Sequence, residues 1–322
     1  MKKRILTLLL TTLLLAFLSV STFASSINIA DNTNVDTIAF TSDTHNIGGN
    51  VSANRLSSWI TSVATKEGDM IDTMAGLGDY AGYKSYFKDY WDRVKPVFDA
   101  VDESPYVGRS VFVAGNHDWL NGNLMLSLNS TAKRIEKKRG KVIDGDSYKI
   151  YCFGASSTFE LFDSASISGL ESFLKKTDNS KPIFIISHYP LHKTSERSMT
   201  NANKVVNILN KYSKERNLNI FFIWGHNHSD ASSTEKNYDK VFTESIPSRG
   251  GDISINFTYA AGGCMCDEEY TSGGKYVLGK GLVASINKAT KEVTLKYYDK
   301  DGNQLTQETV QPKQIKTNKK YK

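Results

Sequence analysis

Thr37-Ile-Ala-Phe-Thr-Ser-Asp-Thr-His45 opens on a short apolar run and closes on an acid and an imidazole two positions apart. A run of this length ended by small polar residues predicts a buried strand that delivers functional groups from its carboxyl end. The same cadence returns four times. The apolar runs Ile71–Ala75, Ser110–Ala114, Pro182–Ile186 and Ile220–Trp224 lead into Gly76-Leu-Gly-Asp79, Gly115-Asn-His-Asp118, Ser187-His-Tyr189 and Gly225-His-Asn-His228. Further strands are predicted at Tyr148–Phe153, Ile255–Ala260, Leu282–Ile286 and Val293–Tyr298, the last two joined across Asn287–Glu292.

Between the early strands lie stripes with helical spacing. They are Leu56, Trp59, Ile60, Val63; Tyr83, Tyr86, Phe87, Tyr90, Val94; Ile167, Leu170, Phe173, Leu174; and Val205, Ile208, Leu209, Tyr212. Each stripe predicts a helix packed on a sheet, and alternating strands and helices predict an α/β core with an antiparallel portion at the end. Helical spacing alone accounts for the aromatic stripe from Tyr83 to Trp91, so it is assigned to core packing rather than to a substrate cleft.

In α/β sheets, ligands collect beyond the carboxyl ends of the strands, so the five motif segments are expected to meet in one crevice. They hold five of the six His in the chain, with Asp43, Asp79, Asn116 and Asp118. Imidazole nitrogens and carboxylate oxygens without a thiolate suit Zn, Mn or Fe. His192 lies outside every motif and reads as a loop residue.

Taken in order, Asp-x-His, Gly-Asp, Gly-Asn-His-Asp, a lone His and Gly-His-x-His resemble the calcineurin-like metallophosphoesterase family. The resemblance runs from Asp43 to His228, with flanking strands extending it to about residues 35–300. It implies a four-layer α/β/β/α sandwich with a dinuclear metal site at the strand C-terminal ends. It also implies two divalent ions: Asp43, His45 and His228 on one, Asn116, His188 and His226 on the other, and Asp79 on both. Two nearby cations repel, which a shared carboxylate offsets. Such a pair supplies a bridging hydroxide as nucleophile and clamps phosphoryl oxygens. His117 is expected to protonate the leaving group and, with Asn116, to contact substrate, while Asp118 is expected to join the catalytic group by orienting a neighbour. Purple acid phosphatases carry Asp-x-Gly and a Tyr three residues after the bridging acid. This chain has His45 and Gly82 there, and Gly82 also lacks the acid of the phosphoprotein phosphatases.

The implied activity is hydrolysis of phosphomonoesters or phosphodiesters. Its rivals are a non-catalytic phosphate- or metal-binding surface protein, which the full ligand set disfavours, and a secreted nuclease. Across 322 residues, 40 Lys and Arg face 34 Asp and Glu. Removing Lys2, Lys3 and Arg4 with a leader lowers the excess from six to three, too small for a dedicated nucleic-acid binder.

Residues 1–24 combine Lys2-Lys-Arg4, an uncharged Leu-rich run and Ser21-Thr-Phe-Ala24, which predicts a signal peptide, export and a secreted or extracytoplasmic location. Cys152, Cys264 and Cys266 are too few for a disulfide framework and are read as buried small hydrophobes. One bridge from Cys152 to either of the others stays open, as does a soft-metal role for Cys264 and Cys266. Lys133–Arg139 reads as a solvated helix end. Residues 301–322 are assigned to a Lys-rich tail, for which contact with an anionic cell envelope is the minority reading.

Overall fold

The computed structural model describes residues 34–46, 49–82, 87–118, 130–136, 140–153, 160–193, 198–228, 240–266 and 279–312. The predicted leader at 1–24, Tyr83 and Tyr86, and residues 313–322 lie outside them. The described residues fall within one compact unit. No helix among the described residues is long and apolar enough to cross a membrane.

Two sheets build this unit. In the first, β1 (Val35–Thr41), β2 (Thr73–Gly76) and β3 (Ser110–Phe112) run parallel. In the second, β4 (Val142–Asp144) pairs antiparallel with β5 (Lys149–Cys152), which continues in parallel to β6 (Ile183–Ser187) and β7 (Ile220–Trp224). Next to β7 comes β11 (Thr258–Ala261), parallel to it, and then β8 (Val241–Phe242), antiparallel. A small ribbon joins β9 (Ser245–Ile246) to β10 (Ile253–Ser254). The first sheet is completed by β12 (Gly263–Cys264), β13 (Lys280–Asn287), β14 (Val293–Tyr298) and β15 (Gln304–Val310), in the order β15-β14-β13-β1-β2-β3 with β12 also on β13.

Side-chain alternation along the strands produces four layers. Ile38, Phe40, Ala75 and Leu77 of the first sheet meet Phe184, Ile186, Phe221 and Ile223 of the second in an inner core. Residues one position away face outward. Ala39 and Met74 pack under Leu56, Trp59, Ile60 and Val63 of α1 (Val51–Lys66) and under Tyr90, Trp91, Val94 and Phe98 of α2 (Phe87–Asp102). Ile183, Ile185, Ile220 and Phe222 pack under Leu170 and Leu174 of α3 (Ser164–Lys176) and Val205 and Leu209 of α4 (Ala202–Glu215). With both faces covered, the central strands read as continuous apolar runs. The result is the α/β/β/α sandwich, and Tyr90 and Trp91 serve its core as expected.

Several segments differ from the expectation. Gln304–Val310, assigned to the tail, is a strand paired along β14, so the sheet extends past residue 300. Of the strand predicted at Ile255–Ala260, only the second half forms, as β11, and residues 255–257 link it to β10 outside any strand. Lys133 and Arg134 lie in a single 3-10 turn, and Arg134 is held by Asp99 at 2.9 Å and by Asp102. All three cysteines are buried and unbridged. Cys152 belongs to the inner core, where burial pushes its thiol up to about 12. Its pairing with Cys264 or Cys266 is not found; those two instead touch each other, Sγ to Sγ, at 3.1 Å.

Candidate metal centre

The carboxyl ends of β1, β2, β3, β6 and β7 are laced into one edge. Asp43 N–H donates to Gly78 O, His45 N–H to Asp79 O and Met265 N–H to Ser42 O, each at 3.0 Å. The acids are oriented the same way: each gives one oxygen to a backbone amide and turns the other toward imidazoles. Asp43 Oδ2 accepts from His226 N–H at 2.8 Å, leaving Oδ1 3.3 Å from His228 Nε2 and 3.7 Å from His45 Nε2. Asp79 Oδ1 accepts from His117 N–H at 2.9 Å, leaving Oδ2 3.2 Å from His188 Nε2 and 3.9 Å from His45 Nε2.

Two groups of ligand atoms result, and Asp79 belongs to both. Asp43, His45, Asp79 and His228 form one, Asp79, His188 and His226 the other, with the ligand atoms of each group within 4.8 Å of one another. Asn116 Oδ1 joins the second, 2.9 Å from His188 Nε2. His45 Nε2 faces His228 Nε2 at 2.8 Å, and His188 Nε2 faces His226 Nδ1 at 3.0 Å. Two imidazole nitrogens this close require a proton or a cation between them. The mixed nitrogen and oxygen donors, without a thiolate among them, suit a divalent Zn, Mn or Fe ion.

Charge within the cluster is strongly biased. Burial draws Asp79 upward, but the positive charges of His188 and then His117 outweigh it and hold the carboxyl well below the usual range. Burial likewise opposes ionisation of Asp43, and His228 overrides it. His188 answers in the other sense: burial disfavours its cation, yet Asp79 raises it to about 9. His45 drops to about 4 through burial and the nearby His228. The centre favours anionic carboxylates surrounded by compensating positive charge, the condition a bound cation also meets.

The backbone is strained where these side chains leave it. Asp43, His45, Asp79, His226 and His228 all have positive φ, at 49°, 43°, 57°, 75° and 56°. Positive φ is uncommon for residues with a Cβ and clusters at functional sites. Close approach explains two of the motif glycines. A Cβ at Gly115 would lie 2.1 Å from Asp79 Oδ1, and one at Gly225 would lie 1.8 Å from Ser42 Oγ and 3.0 Å from Asp43 Oδ2.

Asp43, His45, Asp79, Asn116, His188, His226 and His228 therefore come together as predicted. His117 stands at the rim, 14% exposed, with Nε2 3.9 Å from Asp79 Oδ2 and its ring edge-on to His45. Asp118 touches its neighbours in the motif loops through their backbone. Its buried carboxylate accepts from Gly115 N–H at 2.6 Å, Asp79 N–H at 2.8 Å and the Tyr90 hydroxyl, so it faces the loop scaffold rather than the cleft. Burial, reinforced by the Asp79 charge, pushes it up to about 7. His192 is a loop residue but a buried one. Its Nδ1 contacts Tyr259 OH at 2.7 Å and its Nε2 contacts Asn227 Nδ2 at 3.3 Å, which ties down the residue between His226 and His228. Cys264 lies beneath the centre with Sγ 3.6 Å from Asp43 O, and no cysteine belongs to either ligand group among the described residues. Glu160, in no motif, reaches His226 Nε2 at 3.0 Å; an isolated acid outside a strand terminus carries no signal in the sequence.

The family model for calcineurin-like phosphoesterases matches residues 36–230. No curated protein matches the chain. Among solved structures, a dimetal phosphatase from Danio rerio is similar with TM-score 0.55 at 12% identity, over 86% of this chain and 99% of that one. A purple acid phosphatase from yellow lupin (Lupinus luteus) seeds follows at 0.54 and 11%, over 86% of this chain and 54% of the other, so the chain spans about half the lupin protein. GAP50, described as the anchor in the inner membrane complex of Plasmodium, is similar at 0.53 and 12%, over 88% and 90%. At these identities the likenesses establish the fold.

Proposed function

The chain belongs to the calcineurin-like phosphoesterase family, and from that premise we propose that it hydrolyses small or surface-linked phosphomonoesters or phosphodiesters with two divalent cations. One observation carries the reading: Asp79 is common to two groups of ligand atoms that meet where strands of both sheets end. In this reading Asp43, His45 and His228 would hold one cation, Asn116, His188 and His226 the other, and Asp79 would serve both. Bound there, the cations would acidify water and draw charge onto the phosphoryl oxygens.

The protein's own groups have separate tasks. The His226 amide fixes Asp43, and the His117 amide fixes Asp79, so each carboxylate presents one defined oxygen. Asp118 clamps the Asp79 and Gly115 amides and thereby sets the spacing between the second and third motif loops. The His117 ring, at the rim and not among the grouped ligand atoms, gives a proton to the departing alkoxide, as general acid catalysis requires. The segment at 1–24 supports export before the activity is exercised.

The test is a screen of metal-reconstituted protein against p-nitrophenyl phosphate, bis-p-nitrophenyl phosphate, nucleotides and phospholipids. Metal-dependent turnover of one ester class is expected. A protein that binds two cations yet turns over none of these esters would favour the binding-protein alternative.

A further inference from the structure

His226 can serve the second ligand group only through Nδ1, the nitrogen 3.0 Å from His188 Nε2. A neutral imidazole carries one proton, so a lone pair at Nδ1 requires the proton at Nε2. His226 is buried, and the Nε2–H must therefore find an acceptor within the protein. His188, its partner in the group, meets the same need with a backbone carbonyl, its Nδ1 lying 2.8 Å from Leu77 O. At His226 the acceptor is a carboxylate: Glu160 Oε1 lies 3.0 Å from Nε2.

Glu160 is itself held. Its Oε2 accepts from Ser198 N–H at 3.2 Å, its carbonyl accepts from Thr200 N–H at 2.9 Å, and the next residue, Leu161, bridges to Thr200. The side chain is one-third exposed, at the wall of the centre rather than inside it. Among the described residues, His226 has an anion behind its ring, where His188 has a backbone carbonyl. A carboxylate there fixes the tautomer and makes the opposite nitrogen a stronger donor. The geometry points to Glu160 as a positioning residue that locks His226 as an Nδ1 ligand and tightens the second of two metal sites. The inference rests on the two-cation reading above.

The test is calorimetric titration of chelator-stripped full-length protein with Zn²⁺, together with ¹⁵N NMR of the histidine rings. The parent should show two binding constants and an Nε2–H tautomer at His226. Glu160→Ala should weaken one constant by about 10- to 100-fold, leave the other unchanged and release the His226 tautomer. Glu160→Gln keeps an acceptor oxygen without the charge and should weaken the same constant by less; it decides the matter alone if the alanine variant does not fold. The inference is overturned if both constants move together, if neither moves, or if the tautomer is unaltered. A parent protein that binds fewer than two Zn²⁺ would overturn the two-cation reading as well, whereas a parent with two constants and an inert Glu160 would overturn the positioning role alone.

Discussion

Asp118 distinguishes a scaffold from a catalyst, because two substitutions remove its charge and only one removes its acceptors. In Asp118→Ala, the Asp79 and Gly115 amides and the Tyr90 hydroxyl lose their acceptor in a buried setting. Each unsatisfied buried donor costs about 1–3 kcal/mol, so the variant should lose about 3–9 kcal/mol of stability. Asp118→Asn keeps the shape. Its amide oxygen, placed where Oδ2 now sits, retains both amides. Its NH₂ group then faces the Tyr90 hydroxyl, which can turn from donor to acceptor. The lost contact is the long one to Tyr80 N–H at 3.4 Å. Removing the charge also relieves burial and the repulsion from Asp79 that raise this carboxyl. The asparagine variant should therefore lie within about 1 kcal/mol of the parent and keep most activity. Urea denaturation of the chelator-treated proteins, followed by circular dichroism, reads the difference, and kcat of the reconstituted enzymes completes the test. An alanine variant as stable as the parent, or an asparagine variant as inactive as the alanine one, would refute the scaffold assignment and return Asp118 to the chemistry.

Asp79→Asn should fold but bind fewer than two cations by mass spectrometry, with activity collapsing even on p-nitrophenyl phosphate, because the shared carboxylate loses its charge; full occupancy would contradict its sharing. His117→Ala should retain its metals and lose about 10²- to 10⁴-fold in kcat on esters of poor leaving groups, and much less on p-nitrophenyl esters, whose leaving group scarcely needs a proton. Equal impairment on both substrates would remove His117 as proton donor. Gly225→Ala should displace Ser42 and Asp43 and weaken cation binding measured by calorimetry; an unchanged binding isotherm would show that the loop yields without moving the acid. Cys152, buried in the inner core with its thiol raised to about 12, should resist iodoacetamide at pH 8 in folded protein and react in urea, as peptide mass spectrometry can follow.

The sandwich and the convergence of its motif side chains were legible because both depend on order along the chain. Buried strands such as Ile183–Ser187 announce themselves as apolar runs, and each run is followed at once by a residue of the cluster. The edge strand Gln304–Val310 was not legible: it is polar and exposed along nearly its whole length, so backbone pairing to β14 holds it without a hydrophobic period. Asp79 and Asp118 look alike in sequence, each an acid shortly after a strand. Only the fold shows that one turns an oxygen to the imidazoles while the other spends its oxygens on amides and a tyrosine. Glu160 and His192 reach the centre from loops, by tertiary contact alone, which no spacing rule anticipates.

The five left-handed residues at the centre bear on how such a protein would change over generations. At up to about 1–2 kcal/mol for each side chain held in that conformation, least for the two Asp, they sum to no more than about 5–10 kcal/mol, which still approaches the net stability of a whole domain. Glycine would relieve the strain at each position, and at each it would delete a side chain of the cluster. A lineage that ceased to need this cluster would therefore gain stability by acquiring glycine at 43, 45, 79, 226 and 228. The cluster would vanish while both sheets and the cores around them persisted. A descendant with this sandwich and glycines at those five positions would be the expected remnant of an abandoned hydrolase.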